Sequence, residues 1–180
     1  MNTPPQLEEV FPGLIREWLY DRQIVVYRLT TVSQTIIQQW EGLVLKTMEA
    51  WDKAKPYLAL HDVSETGVSL QYATLVRFDL MNIGITDPGR ELAEAYFNEF
   101  PEFRARVAIG FNLSVSGQVS QTVMDRLKMK HPSITYKTFF NRERSLVWLS
   151  DALTVKPPVK TAEETQEINP SGPGTDMASV

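Results

Sequence analysis

The fold is decided by the stretch YLALHDVS at residues 57–64, which joins an apolar run to a polar turn. Residues 57–61 form a short and almost continuous apolar run, which is typical of a strand buried on both faces of a parallel sheet. The run ends in DVSETG, residues 62–67, a cluster of turn-forming residues. The sequence therefore predicts a central strand whose carboxyl end opens into a polar loop.

An antiparallel hairpin is predicted ahead of this strand. β-Branched and aromatic residues lie on both sides of the polar turn Asp21-Arg22-Gln23, within residues 15–30. A helix over residues 7–20 is the competing interpretation, and Pro12-Gly13 disfavours it because this pair would break the helix in the middle. We assign residues 1–13 to an N-terminal extension of the domain.

A long helix is predicted between the hairpin and the central strand. Thr31 and Gln34 have the spacing of a capping box, which marks a helix start, and Pro56 ends the segment. The apolar residues between them recur every three or four positions, as on one buried helix face: Ile36, Ile37, Trp40, Leu43, Val44, Met48 and Trp51. Trp40 and Trp51 are interpreted as core and rim residues of this face.

Strands and helices alternate over the rest of the chain. Further strands are predicted at residues 106–111 and 134–140. Helices are predicted at 72–84, at 88–100, along Val119, Val123 and Leu127, and after an Asn141 cap through Leu149. The expected fold class is α/β, with a mixed sheet of about five strands, first the antiparallel hairpin and then parallel strands, and about five helices.

The composition changes near residue 154. Residues 14–153 are expected to form one domain, whereas residues 154–180 are rich in proline and polar residues and contain few apolar ones. Such a segment buries too little apolar surface to offset the entropy lost on ordering. We therefore predict a disordered C-terminal tail at 154–180.

Charge and composition limit the classes of function that this chain can have. A net charge of −4 and a pI near 5.3 disfavour nucleic-acid binding. The chain has no cysteine, which excludes disulfides and thiolate metal sites and fits a cytoplasmic protein. The first residues do not resemble a signal peptide, and no apolar run approaches the ~18–20 residues that span a bilayer. The expected protein has no membrane span.

Candidate binding residues are those that follow the predicted parallel strands, because ligands of open α/β sheets collect at the carboxyl ends of the strands. This polar, hydroxyl-rich set suits an anion better than acid–base chemistry, and the alternative is that its members only cap helices and form turns. The set comprises Asp62, Ser64, Thr66, Gly67, Asn112, Ser114, Ser116, Asn141 and Arg142.

No catalytic constellation is found. His61 next to Asp62 suggests a triad with Ser64 or Ser69, but neighbouring strand residues point to opposite faces, and no Gly-x-Ser-x-Gly motif supports it. The chain has two histidines and lacks a glycine-rich phosphate loop, so we expect no metal, no cofactor and no enzymatic activity.

The order of these elements resembles the STAS fold of sulfate-transporter and anti-sigma-factor-antagonist domains. Asp62-Val63-Ser64 resembles the Asp-Leu-Ser strand end of that family. The segment FFNRERSLVWL at 139–149 resembles the Phe-x-Asp-x-x-x-Ala-x-x-Trp-Leu ending of SpoIIAA-like proteins. The likeness covers residues 15–152, and the helix at 88–100 looks like an insertion in the family pattern.

The resemblance implies a non-enzymatic regulatory domain that binds a partner protein or associates with itself. A small-anion or metabolite binding protein or enzyme that uses the polar loops is the alternative. In the family, a serine at the start of the helix after the central strand can be phosphorylated. The corresponding position falls near Leu70-Gln71-Tyr72, which departs from the Asp-Ser-Ser-Gly pattern and disfavours that switch.

Overall fold

A six-stranded mixed sheet forms the centre of the molecule. The computed structural model describes residues 6–69, 71–72, 94–127 and 132–154. The strands are β1 (Gln6–Phe11), β2 (Leu14–Leu19), β3 (Ile24–Leu29), β4 (Tyr57–Asp62), β5 (Ala105–Gly110) and β6 (Ile134–Phe139). They lie side by side in chain order, antiparallel from β1 to β3 and parallel from β3 to β6. The predicted α/β class and the change from antiparallel to parallel pairing are confirmed.

The sheet has one strand more than the sequence predicted. Residues 6–11, which the sequence placed in an N-terminal extension, pair with β2 as an edge strand. Pro12-Gly13 is the turn between these strands, and Gly13 has a φ of 88°, which a non-glycine residue rarely adopts. Residues 6–10 are exposed. An exposed edge strand needs no alternation of apolar and polar residues. Residues 6–11 therefore lack the sequence pattern by which a buried strand is recognised.

Helices cover both faces of the sheet. They are α1 (Gln34–Glu49), α2 (94–99), α3 (Val115–Leu127) and α4 (Arg142–Thr154). Residues of α1 and α2 pack in one apolar core with Tyr27 and Tyr57 of the sheet. Leu149 of α4 packs in a second core with Leu58 and Leu60 of β4. β4 is buried along its whole length, as predicted for a central strand.

Two details of the predicted helices are wrong. The cap of α1 is Ser33, whose Oγ accepts a hydrogen bond from the Ile36 backbone N–H at 3.2 Å, and Thr31 lies outside the helix. Val119, predicted on the buried face of α3, is exposed, whereas its neighbour Ser120 is buried. A buried serine is compatible with that face because its hydroxyl donates to the backbone oxygen of Ser69 at 2.8 Å.

Several predicted segments lie outside the described residues. These are most of the helix predicted at 72–84, the start of the helix predicted at 88–100, and residues 155–180 of the predicted tail. Residues 68–69 and 71–72 are helical, and Thr154 is the last residue of α4. Among the described residues, no helix has the length and apolar character needed to cross a bilayer.

The position of the α1 cap can be tested by two alanine substitutions. We expect Ser33→Ala to lower the free energy of unfolding by ~1 kcal/mol, because a backbone N–H at the start of α1 loses its acceptor. Thr31→Ala is the matched control, and as an exposed substitution it should change stability by less than ~0.5 kcal/mol. Urea unfolding measures the free energy of unfolding of both variants. A larger loss of stability for Thr31→Ala than for Ser33→Ala would contradict the Ser33 cap and support the capping box predicted from the sequence.

Candidate functional site

Asp62 is the centre of a polar cluster at the carboxyl end of β4. It is 4% exposed, and its Oδ1 accepts hydrogen bonds from the Ser64 backbone N–H at 3.1 Å and the Ser64 hydroxyl at 2.5 Å. These bonds fold residues 62–64 into the turn that ends the strand. The sequence-predicted residues Asp62 and Ser64 therefore lie together, and they bind each other.

The second oxygen of Asp62 faces two arginines. Arg28 Nε lies 3.6 Å from Oδ2, and Arg142 Nη1 lies 3.7 Å from the same atom. Arg142 is the first residue of α4 and also donates through Nη2 to Glu17 on β2 at 2.5 Å. Two acidic and two basic side chains thus form a network with no net charge, which joins β2, β3, β4 and α4.

Two members of this network, Arg28 and Glu17, were not among the residues predicted from the sequence. Arg28 lies on β3 directly beside Asp62 in the parallel register, and Glu17 lies on β2 beside Val26. The pairing of strands that are distant in the sequence brings these side chains together. The signal available in the sequence was the single charged residue in the apolar run 24–29.

A second polar cluster follows β5. The Ser114 hydroxyl donates to Asn112 Oδ1 and accepts from the Gly117 backbone N–H at 3.1 Å, so Ser114 caps the start of α3. Gly117 approaches Asn112 so closely that a Cβ would lie 2.0 Å from the Asn112 backbone oxygen. The Asn112 backbone N–H reaches the Ser69 hydroxyl at 3.4 Å, which connects this loop to the segment after β4.

The other predicted residues have simpler positions. Asn141 caps α4 through a 2.9 Å bond from the Arg144 backbone N–H to its Oδ1, as predicted. Thr66 and Gly67 are exposed in the turn after β4, where Gly67 has a φ of 83°. The side chain of Ser116 lies outside the part of the chain that the structure describes. Most of the predicted polar set therefore makes turns and helix caps, which was the alternative considered from the sequence.

His61 and Asp62 point to opposite faces of the sheet. The His61 ring lies 5.0 Å from Trp40 and 5.6 Å from Tyr27, both in edge-on contacts within the larger core. Burial lowers the pKa of His61 to about 3, so the ring is neutral at pH 7. Its Nε2 has no hydrogen-bond partner among the described residues. His61 is thus a core residue, separated by the sheet from the Asp62 carboxylate.

Apolar side chains are exposed beside these polar loops. Leu113 is 78% exposed, Val115 80% and Val119 52%. They follow β5 in the loop and the first turns of α3, at the same edge of the sheet as the exposed residues 64–67. We call Leu113, Val115 and Val119 the carboxyl-edge patch. In the described part of the chain, no group of three or more acidic or histidine side chains is placed to hold a metal ion.

The burial of His61 gives a pH dependence whose sign can be tested. The unfolded chain binds a proton at this ring below about pH 6.5, whereas the folded chain stays neutral down to about pH 3. Stability is therefore lost as the pH falls through this window. Between pH 7 and 5, we expect the wild type to lose ~2 kcal/mol relative to His61→Leu in urea unfolding. If the free energies of unfolding of the wild type and His61→Leu change with pH in the same way, the ring is not buried in the neutral form.

No family model, no curated protein and no solved structure matches this chain. The resemblance to STAS and SpoIIAA-like domains therefore rests on the order of elements and the short motifs of the sequence.

Proposed function

We propose that this chain is a non-enzymatic regulatory domain that binds a partner protein through the carboxyl-edge patch, in the manner of STAS and SpoIIAA-like domains. The observation that carries the proposal is the exposure of Leu113, Val115 and Val119 in a segment that also contains the polar residues Asn112 and Ser114. An apolar centre with a polar rim is the usual composition of a protein-binding surface. The resemblance itself was drawn from the order of elements predicted from the sequence, a leading hairpin and then parallel strands.

The neighbouring polar residues support binding rather than catalysis. A general base needs an accessible lone pair near its substrate. The oxygens of Asp62 already face Ser64, Arg28 and Arg142, and the His61 ring lies on the other face of the sheet. Neither side chain is placed to take a proton from a molecule at this edge.

The bonds within the loops also argue against the alternative of a small anion bound there. Such a ligand needs donors that are available at the loop surface. The Ser64 hydroxyl donates to Asp62 and the Ser114 hydroxyl donates to Asn112, so both donors serve the loops themselves. Binding an anion would break these bonds, and the cost would reduce the affinity.

Aspartate substitutions in the patch test the proposal. Leu113→Asp combined with Val115→Asp places charge in the apolar centre of the surface, and the fold should tolerate it because both residues are exposed and acidic residues are favourable at the start of a helix. We expect the double variant to lose a partner that the tagged wild type retains from its native lysate. In the purified complex, hydrogen exchange should slow over residues 111–119.

Val147→Asp is the matched control, because Val147 is 60% exposed on α4 and lies outside the patch. This variant should keep the partner. A partner retained by the double variant, or protection confined to another surface, would contradict the proposal. Light scattering tests whether the patch binds a second copy of this chain instead. A wild-type dimer that becomes a monomer in the double variant would show that the partner is another copy and not a different protein.

A further inference from the structure

A groove of about 630 Å³ lies at the opposite edge of the sheet from the carboxyl-edge patch. Its lining comes from β2, the turn into β3, the last turns of α1, the loop before β4 and Ala152 and Leu153 at the end of α4. All of these lie at the amino ends of the parallel strands. The volume is within the range of ~300–1,000 Å³ that small-molecule sites occupy. We call this the amino-edge groove.

Two tryptophans provide a flat apolar surface in the groove. The rings of Trp18 and Trp51 are stacked with their centroids 6.1 Å apart and an angle of 22° between planes. Tyr57 contacts Trp51 edge-on at 5.0 Å and holds it from the core side. Both tryptophans are only partly buried, so parts of both rings remain accessible to a planar ligand.

The charge of the groove is positive although the whole chain is acidic. Four basic side chains line it against two acidic ones, Asp21 and Asp52, whereas the chain carries a net charge of −4. Within this set, Lys55 is paired with Asp52 at 3.5 Å, and Arg16 reaches Glu8 at 2.7 Å. The other two basic residues are Arg22 and Lys46.

Arg22 combines charge with the aromatic surface. Its guanidinium carbon lies 4.7 Å from the centre of the Trp18 ring, a cation–π distance, and an arginine stacked in this way keeps its N–H groups at the edge for an anion. Two further N–H donors of lining residues, Arg16 Nε and Trp51 Nε1, are buried and have no acceptor among the described residues.

The turn that carries Arg22 is strained. Tyr20, Asp21 and Arg22 have φ angles of 51°, 52° and 64°, so three consecutive non-glycine residues are left-handed. The left-handed conformation is unfavourable for each of these residues because Cβ approaches the following carbonyl oxygen. Glycine, asparagine and aspartate are the usual residues at positive-φ positions of hairpin turns. This turn contributes Asp21 and Arg22 to the lining of the groove.

We propose that the amino-edge groove binds a small planar aromatic anion, a ring that carries a carboxylate or a phosphate. The ligand ring packs against the accessible parts of Trp18 and Trp51, and Arg22 and Lys46 pair with the acidic group. This site is independent of the partner surface, because the two lie at opposite ends of the strands and share no residue. Failure of either proposal leaves the other unaffected.

The four tryptophan side chains allow a direct test by NMR of their indole N–H signals. The full-length ¹⁵N-labelled protein is titrated with indole-3-acetate and with AMP, one ring with a carboxylate and one with a phosphate. We expect the Trp18 and Trp51 signals to shift with at least one of them, while Trp40 in the core and Trp148 on α4 stay in place. Adenosine, which lacks the acidic group, should bind at least tenfold more weakly than AMP if AMP is the ligand that binds.

Arg22→Gln and Lys46→Gln remove one charge each from the groove, and Arg144→Gln removes one from an exposed position on α4. The two groove variants should weaken binding by tenfold or more, and Arg144→Gln should leave it unchanged. The proposal is overturned if neither anion shifts Trp18 and Trp51 selectively, if adenosine equals AMP when AMP binds, or if Arg144→Gln weakens binding as much as the groove variants.

Discussion

The pairing of the Asp62 carboxylate with Arg142 and Arg28 is the interaction on which the carboxyl edge of this molecule depends. It fixes the first turn of α4 against the end of β4, and through Glu17 it extends to β2. Asp62 is nearly inaccessible to water, so its charge must be balanced by these partners. An acidic residue that looks like a candidate for chemistry in the sequence thus serves to hold strands and helix in register.

The alternation of side chains along β4 separates the two residues that invited a catalytic interpretation. His61 faces the core under α1, whereas Asp62 faces α4. The sequence contained this result, because residues one apart on a strand always point to opposite faces. β4 and the apolar face of α1 were predictable for a related reason. β4 buries every side chain and is therefore an almost continuous apolar run, and α1 buries side chains three or four residues apart.

The features that escaped prediction depend on contacts between distant parts of the chain or on weak local signals. β1 is exposed and therefore has no apolar period, and the choice of Ser33 over Thr31 as a cap depends on which backbone N–H groups each hydroxyl can reach. The amino-edge groove is assembled from separate segments of the chain, and the carboxyl-edge patch was missed because Val119 was predicted on the buried face of α3. In hindsight, Arg16 and Trp18, two residues apart on one strand, indicated that a polar and aromatic surface lies on that face of β2.

A double-mutant cycle between Asp62 and Arg142 tests most directly the claim that the carboxyl edge is a structural network. Urea unfolding of the wild type, Asp62→Ala, Arg142→Ala and the double variant gives the coupling energy between the two side chains. Side chains in contact within one network couple by ~0.5–3 kcal/mol, and we expect a value in that range for Asp62 and Arg142. Additive losses, with a coupling near zero, would contradict it and return Asp62 to the candidates for direct ligand chemistry.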